Sequence, residues 1–220
     1  MEVLVIELIK DAIQQLEKAN IADATVDSWL LSEEILNVKK QNYYMNMGIT
    51  VNEELAAKYK EAVNKRAEHI PLQHIIGYQQ FLDYKILVNE NVLIPRPETE
   101  LLVEKVTDFI GNNEMKVLDM CTGSGCIIIS LAASGHTSEN GAVAIDISDD
   151  ALKVADYNKK YNNADYIKLI KSDMFSSSEC EQYKNEDNRF DVIVSNPPNI
   201  PTKDIDELSE EVRLHDPVLA

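Results

Sequence analysis

The chain has 220 residues and 45% hydrophobic content, enough for one large domain or two small ones and too apolar for a disordered segment. Its formal net charge of -17 withholds the general attraction for phosphate that Lys and Arg supply, which disfavours nucleic acid and suits a protein or small-molecule substrate, although such acidity also serves plain solubility. No apolar run could span a bilayer, the charges within residues 1–19 do not suit a signal peptide, and the three cysteines lack metal-ligand or disulfide spacing; a cytoplasmic chain without a metal is expected.

In chain order, Ile9, Ala12, Ile13 and Leu16 recur at helical spacing. A second helix is predicted over 27–36, with Trp29, Leu30 and Ile35 available for a core. Thr50 and Glu53 form a capping-box pattern before Leu55, Tyr59, Ala62, Val63 and Arg66, which share one stripe. Pro71 closes this region. No His, Cys or carboxylate cluster in it suggests catalysis, and it reads as a small helical bundle without chemistry of its own.

From Gly77 the texture changes. Residues 81–88 and 92–94, separated by Asn89-Glu90-Asn91, predict a hairpin. Pro95 and Pro97 fix the backbone ahead of a helix from near Thr99 through Leu101, Leu102, Val106 and Ile110. Strands are predicted at 116–120, 142–146, 166–170 and 190–195, with helices at 127–133 and 150–161. Such alternation implies α/β architecture with a doubly wound parallel sheet. The polar stretch 176–188 reads as a surface loop or frayed helix.

In such a sheet, ligands bind at the carboxyl ends of the strands. Asp119-Met120-Cys121-Thr122-Gly123-Ser124-Gly125 follows the first strand, and its glycines allow close backbone approach. Ile128 stands where a dinucleotide fingerprint needs its third glycine, which disfavours a dehydrogenase. Asp146, ending the next strand, suits ribose hydroxyls, or alternatively caps the following helix. After the third strand, Asp173 could reach an adenine amino group and Met174 could cover the ring; a plain turn with a buried Met is the alternative. Ser195-Asn196-Pro197-Pro198 follows the fourth strand. There the Asn196 side-chain oxygen and the Pro197 carbonyl can accept both hydrogens of an amide or aromatic amine, aiming its lone pair at a sulfonium methyl.

These motifs, with Ile70-Pro71-Leu72, Gly77 and above all Ile94-Pro95-Arg96-Pro97-Glu98-Thr99-Glu100, make a chain that resembles the HemK-type protein-(glutamine-N5) methyltransferases. The resemblance implies a Rossmann-like class I methyltransferase sheet using S-adenosylmethionine, preceded by a helical domain and a hairpin. It divides the chain into a release-factor-docking domain (1–75), a β-hairpin linker (76–97) and a catalytic domain (98–220). Cofactor contacts are implied for Cys121, Thr122, Gly123, Ser124, Gly125, Asp146, Asp173, Met174 and Asn196. Substrate contacts are implied for Asn196, Pro197, Pro198 and Asn199, with Asn196 and Pro197 catalytic. The implied substrate is the glutamine of the Gly-Gly-Gln motif in class I peptide chain release factors.

Three departures from the family pattern stand out. Cys121 replaces a usual Gly, and Asn199 replaces the Tyr expected to pack on the flat amide, which predicts slower transfer. The resemblance also implies C-terminal strands beyond the four placed, so the catalytic domain is expected to be incomplete, with the fourth strand as an exposed edge prone to dimerisation or poor solubility. Two other functions remain open on the sequence: methylation of a base amino group in DNA or RNA, and an inactive remnant that only binds.

Overall fold

The computed structural model describes residues 2–45 and 48–199, with His215 and Pro217. The described residues divide into two compact units, the first over 2–76 with His215 and the second over 77–199 with Pro217.

In the first unit, β1 (Glu2–Leu4) pairs antiparallel with β2 (Thr50–Asn52). Around them run α1 (Val5–Lys18), α2 (Ala24–Leu31), α3 (Lys40–Met45), α4 (Glu53–Ala67) and α5 (Leu72–Ile76). The apolar positions Val5, Leu8, Ile9, Ala12 and Leu16 of α1 lie on one face and are all buried, as a period of 3.6 residues requires. They pack with Leu31, Tyr59 and Val63 in a single core. The Tyr59 hydroxyl donates to the Ser28 carbonyl at 2.9 Å, and burial raises its pKa. A buried ion pair joins Arg66 Nε to Asp27 Oδ2 at 2.7 Å, and Arg66 also donates to the Ile70 carbonyl at 3.1 Å.

Three sequence expectations for this unit are corrected. The predicted helix 27–36 is α2 followed by a single π turn, Ser32–Leu36, ended by Asn37 at φ +56°. Leu30 is 42% exposed and does not join the core as expected. The capping box is absent: Thr50 lies in β2 and bonds to Glu2, while Asn52 caps α4 by accepting from the Leu55 amide at 2.9 Å. Asn is as good a cap as Thr, and pairing with β1 draws Thr50 into a strand.

The second unit opens with a hairpin of β3 (Tyr78–Phe81) and β4 (Tyr84–Leu87), then α6 (Pro97–Ile110). Next come β5 (Met115–Met120), α7 (Cys126–Ala133), β6 (Thr137–Asp146), α8 (Asp149–Tyr161), β7 (Lys168–Lys171) and β8 (Val192–Ser195). The hairpin turns at Leu82-Asp83, not at Asn89-Glu90-Asn91, and residues 92–94 form no strand. Leu82 takes φ +49°, and its amide donates to Glu100 Oε1 at 2.8 Å. A tertiary contact to α6 thus fixes a turn that lacks the usual Gly or Asn. Asn89 does turn the chain, its side chain accepting from the Asn91 amide at 3.0 Å, but outside the sheet.

β5 to β8 form one parallel sheet in the order β7-β6-β5-β8. Alternation along the strands splits the core between the two faces. Val117, Ala142 and Ala144 pack with Ile127, Ile128 and Leu131 of α7 and with Phe81 and Ile86 of the hairpin. Leu118, Val143, Ile145 and Ile170 face the other way. That second face also takes Cys180, fully buried, with Phe175, Tyr183 and Phe190 partly buried against it. The stretch 176–188 is therefore more than a surface loop: its 3-10 turns, Ser178–Lys184 and Glu186–Asn188, carry Cys180 into the core. Among the described residues β8 pairs with β5 alone, and Ile193 is 59% exposed.

Candidate functional site

The chain leaves β5 for β6 and β7 on one side, then returns to β8 on the other side of β5. The reversal opens a crevice at the carboxyl ends of β5 and β8, the ordinary place for a ligand in a doubly wound sheet. Met120 and Ser195, the last residues of these strands, are register partners, and the Ser195 hydroxyl donates to the Met120 carbonyl at 2.7 Å. The loops that follow them therefore begin side by side.

The loop after β5 is tightly braced. The Thr122 hydroxyl donates to Asp119 Oδ2 at 2.6 Å, and the Thr122 amide donates to the Ile145 carbonyl at 3.0 Å. Gly125 takes φ +82° at the start of α7; a Cβ there would lie 2.8 Å from Ile129 Cδ1 and 3.3 Å from Ala155 Cβ. This position thus needs Gly for both conformation and space. Gly123 takes φ +54° with open space where a side chain would begin. Cys121 adopts φ +62°, a conformation that costs an L-residue roughly 1–2 kcal/mol and that Gly takes freely.

Asp146, at the end of β6, lies beside this loop. Its Oδ2 accepts from the Gly123 amide at 2.8 Å and its Oδ1 from the Ser148 amide at 2.9 Å. Each carboxylate oxygen has about two acceptor directions, so one on each is available to another donor. The cap of α8 is Ser148, whose hydroxyl oxygen accepts from the Ala151 amide at 3.2 Å. Asp146 is thus not the helix cap that the sequence left as an alternative. The next loop carries Asp173, exposed, and Met174, 64% exposed at φ +49°. Met174 is not the buried residue of a plain turn.

Asp119, in the sequence only the first residue of the Gly loop, turns out to be fully buried beneath it. Burial, partly offset by the Thr122 hydroxyl and the Ile128 amide, pushes its carboxyl up to about 7, and its Oδ1 has no hydrogen-bond partner. Burial, assisted by the Asp146 charge, also raises the Cys121 thiol.

A cavity of about 580 Å³ lies over these strand ends. Of the residues singled out in the sequence, Cys121, Thr122, Gly123, Ser124, Asp146, Asp173, Met174, Asn196, Pro197 and Pro198 line it. Gly125 lies behind the lining, and Asn199 is exposed outside it. Thr99, at the start of α6, also lines the cavity, and its hydroxyl accepts from Asn196 Nδ2 at 3.3 Å. Asn158, fully buried in α8, accepts from the Leu87 amide at 2.8 Å and donates to the carbonyls of Leu87 and Ser124, both at 2.9 Å. It thereby ties the hairpin to the Gly loop. Among the described residues no group of three or more His, Cys, Asp or Glu could hold a metal ion, and no helix is long and apolar enough to cross a membrane.

Residues 7–77 match the family model of the PrmC N-terminal domain, and residues 97–211 match that of the methyltransferase small domain. The release factor glutamine methyltransferase of Leptospira interrogans is 38% identical over 220 residues, covering 98% of this chain and 74% of that one. The enzyme of the same name from Bacillus cereus is 35% identical, covering 83% of this chain and 63% of its own, and that from Clostridium botulinum 33% identical, covering 96% and 73%. This chain thus spans about two thirds to three quarters of these relatives. The matched domains, the parallel sheet and the identity along both units lead to one conclusion: the chain belongs to the release factor glutamine methyltransferase family.

Proposed function

We propose that this protein transfers a methyl group from S-adenosylmethionine to the side-chain amide nitrogen (N5) of the glutamine in the Gly-Gly-Gln motif of class I peptide chain release factors. The pairing of Met120 with Ser195 carries the reading, because it puts the Gly-rich loop and the Asn196-Pro197-Pro198 segment on one cavity.

The residues fit the cofactor. Asp146 has acceptor directions left for two ribose hydroxyls, and Gly123 leaves room for close approach. Thr122, Ser124 and Cys121 would border the methionine portion. Exposed Met174 would lie on the adenine ring, with Asp173 accepting from its amino group. When bound, S-adenosylmethionine would supply a methyl group on a sulfonium, whose carbon–sulfur electron pair would leave with sulfur on transfer to the amide nitrogen.

An amide nitrogen is a poor nucleophile, because its lone pair is delocalised into the carbonyl. Asn196 Oδ1 and the Pro197 carbonyl would accept its two N–H groups, and Pro198 would hold that carbonyl in place. Two fixed acceptors orient the lone pair and stabilise the positive charge that develops on nitrogen. One N–H proton then leaves to water, which the exposed Asn196 and Pro197 can reach. The helical region 1–75 would dock the release factor, and its exposed Val26, Leu30, Tyr44 and Met45 suit contact with a protein. The hairpin region 76–97 would join it to residues 98–220. Such a substrate implies a cytoplasmic location.

Incubation with methyl-labelled S-adenosylmethionine and, in parallel, release factor, RNA and DNA tests the proposal. Label should appear on the release factor. Label on nucleic acid alone would assign a base amino group instead, and no label anywhere would leave a chain that only binds.

A further inference from the structure

Asn196 follows β8 as an exposed residue, and an exposed asparagine samples several rotamers. Its proposed role requires one of them, with the amide oxygen toward the cavity. Its side-chain neighbour is Thr99, which is 5% exposed in the first turn of α6, with its amide donating to the Arg96 carbonyl at 2.9 Å. That turn is itself anchored. Pro97 starts the helix with a preset φ, and Glu100 accepts from the Leu82 amide at 2.8 Å. The Thr99 hydroxyl is therefore a fixed point. It accepts from Asn196 Nδ2 at 3.3 Å, across 97 positions of sequence.

An amide side chain has its acceptor at one end and its donors at the other. With Nδ2 on Thr99, Oδ1 is the end left to meet an incoming N–H. In the opposite orientation the Asn196 NH2 would face the substrate NH2, donor against donor. We infer that Thr99 is a positioning residue: it holds the Asn196 side chain with its oxygen turned to the amide that is to be methylated. The inference rests on the reading of Asn196 given above. It also gives a physical task to Thr99 within the Ile-Pro-Arg-Pro-Glu-Thr-Glu segment.

The test compares Thr99→Val, which keeps the shape and removes the hydroxyl, with Thr99→Ser, which keeps the hydroxyl. Release-factor methylation should lose roughly 10- to 100-fold in kcat in the valine variant, the scale of a misplaced catalytic group. Binding of S-adenosylhomocysteine should change far less than kcat, and the serine variant should recover most of the rate. Proton exchange at Asn196 Nδ2, read by NMR on the same proteins without substrate, should be slow in the unaltered and serine forms and fast in the valine form. A valine variant with undiminished kcat overturns the inference, as does one in which Asn196 exchange is unchanged. If the unaltered protein shows slow exchange but methylates nothing, the functional reading of Asn196 fails, and Thr99 is a structural contact only.

Discussion

Asn158 holds Leu87 by both backbone groups, accepting its amide at 2.8 Å and donating to its carbonyl at 2.9 Å, much as a neighbouring strand would. The same side chain donates to Ser124 in the Gly loop. Replacing it with Ala would leave three backbone groups without this partner, and buried groups left unpaired cost about 1–3 kcal/mol each, less where water enters. Asn158→Ala is expected to lower unfolding stability by about 2–4 kcal/mol. Urea denaturation measures the loss, and titration with S-adenosylhomocysteine should show weaker binding as Ser124 is released.

Cys121 occupies a left-handed conformation in the loop bordering the cavity. Cys121→Gly relieves that strain, while the freer unfolded chain takes back part of the gain, for a net stabilisation of roughly 0.5–1 kcal/mol. The midpoint of thermal unfolding should rise. A fall would mean that the thiol contributes packing that outweighs the strain.

Asp119 gives the protein a particular pH dependence. Its carboxyl titrates near 3.8 when exposed and is pushed up to about 7 in the folded chain by burial. Between those values the folded state binds more protons than the unfolded state, so this group's contribution to stability falls as pH rises from about 4 to about 7 and is level beyond. Each pKa unit is about 1.4 kcal/mol, so the whole loss is on the order of a few kcal/mol. Asp119→Asn removes the titration and keeps an acceptor for Thr122. The unfolding midpoint of this variant relative to the unaltered protein should climb through that window; a constant difference would refute the assignment.

Asn199 lies exposed after Asn196-Pro197-Pro198 and outside the cavity lining. A tyrosine there would supply a flat apolar face for the glutamine amide. Asn199→Tyr is expected to raise the methyl-transfer rate with little effect on S-adenosylhomocysteine affinity, and an unchanged rate would remove position 199 from the substrate site.

Much of this architecture was legible in the residues. The period of α1, the strand–helix alternation and the loops after β5, β6 and β8 are local patterns, and parallel topology follows from them. What escaped depends on contacts distant in sequence. Asn158 reads as an ordinary polar residue of an amphipathic helix until β4 is laid beside it. Leu82 is no turn former, and Glu100, well along the chain, supplies what its own sequence lacks. Cys180 sits in a polar stretch, and its burial comes from packing on Leu118, Val143, Ile145 and Ile170 of the second face of the sheet. Thr99 is legible in the sequence as part of a motif and near a helix start, and its contact with Asn196 needs α6 and β8 placed together.

The most direct measurement is the site of modification. After incubation with S-adenosylmethionine, a class I release factor is digested and its peptides are fragmented by mass spectrometry. One methyl group should lie on the side-chain nitrogen of the Gly-Gly-Gln glutamine, and none should appear with Asn196→Ala. A methyl group on another residue, or the same modification with the Asn196 variant, would contradict the proposed clamp.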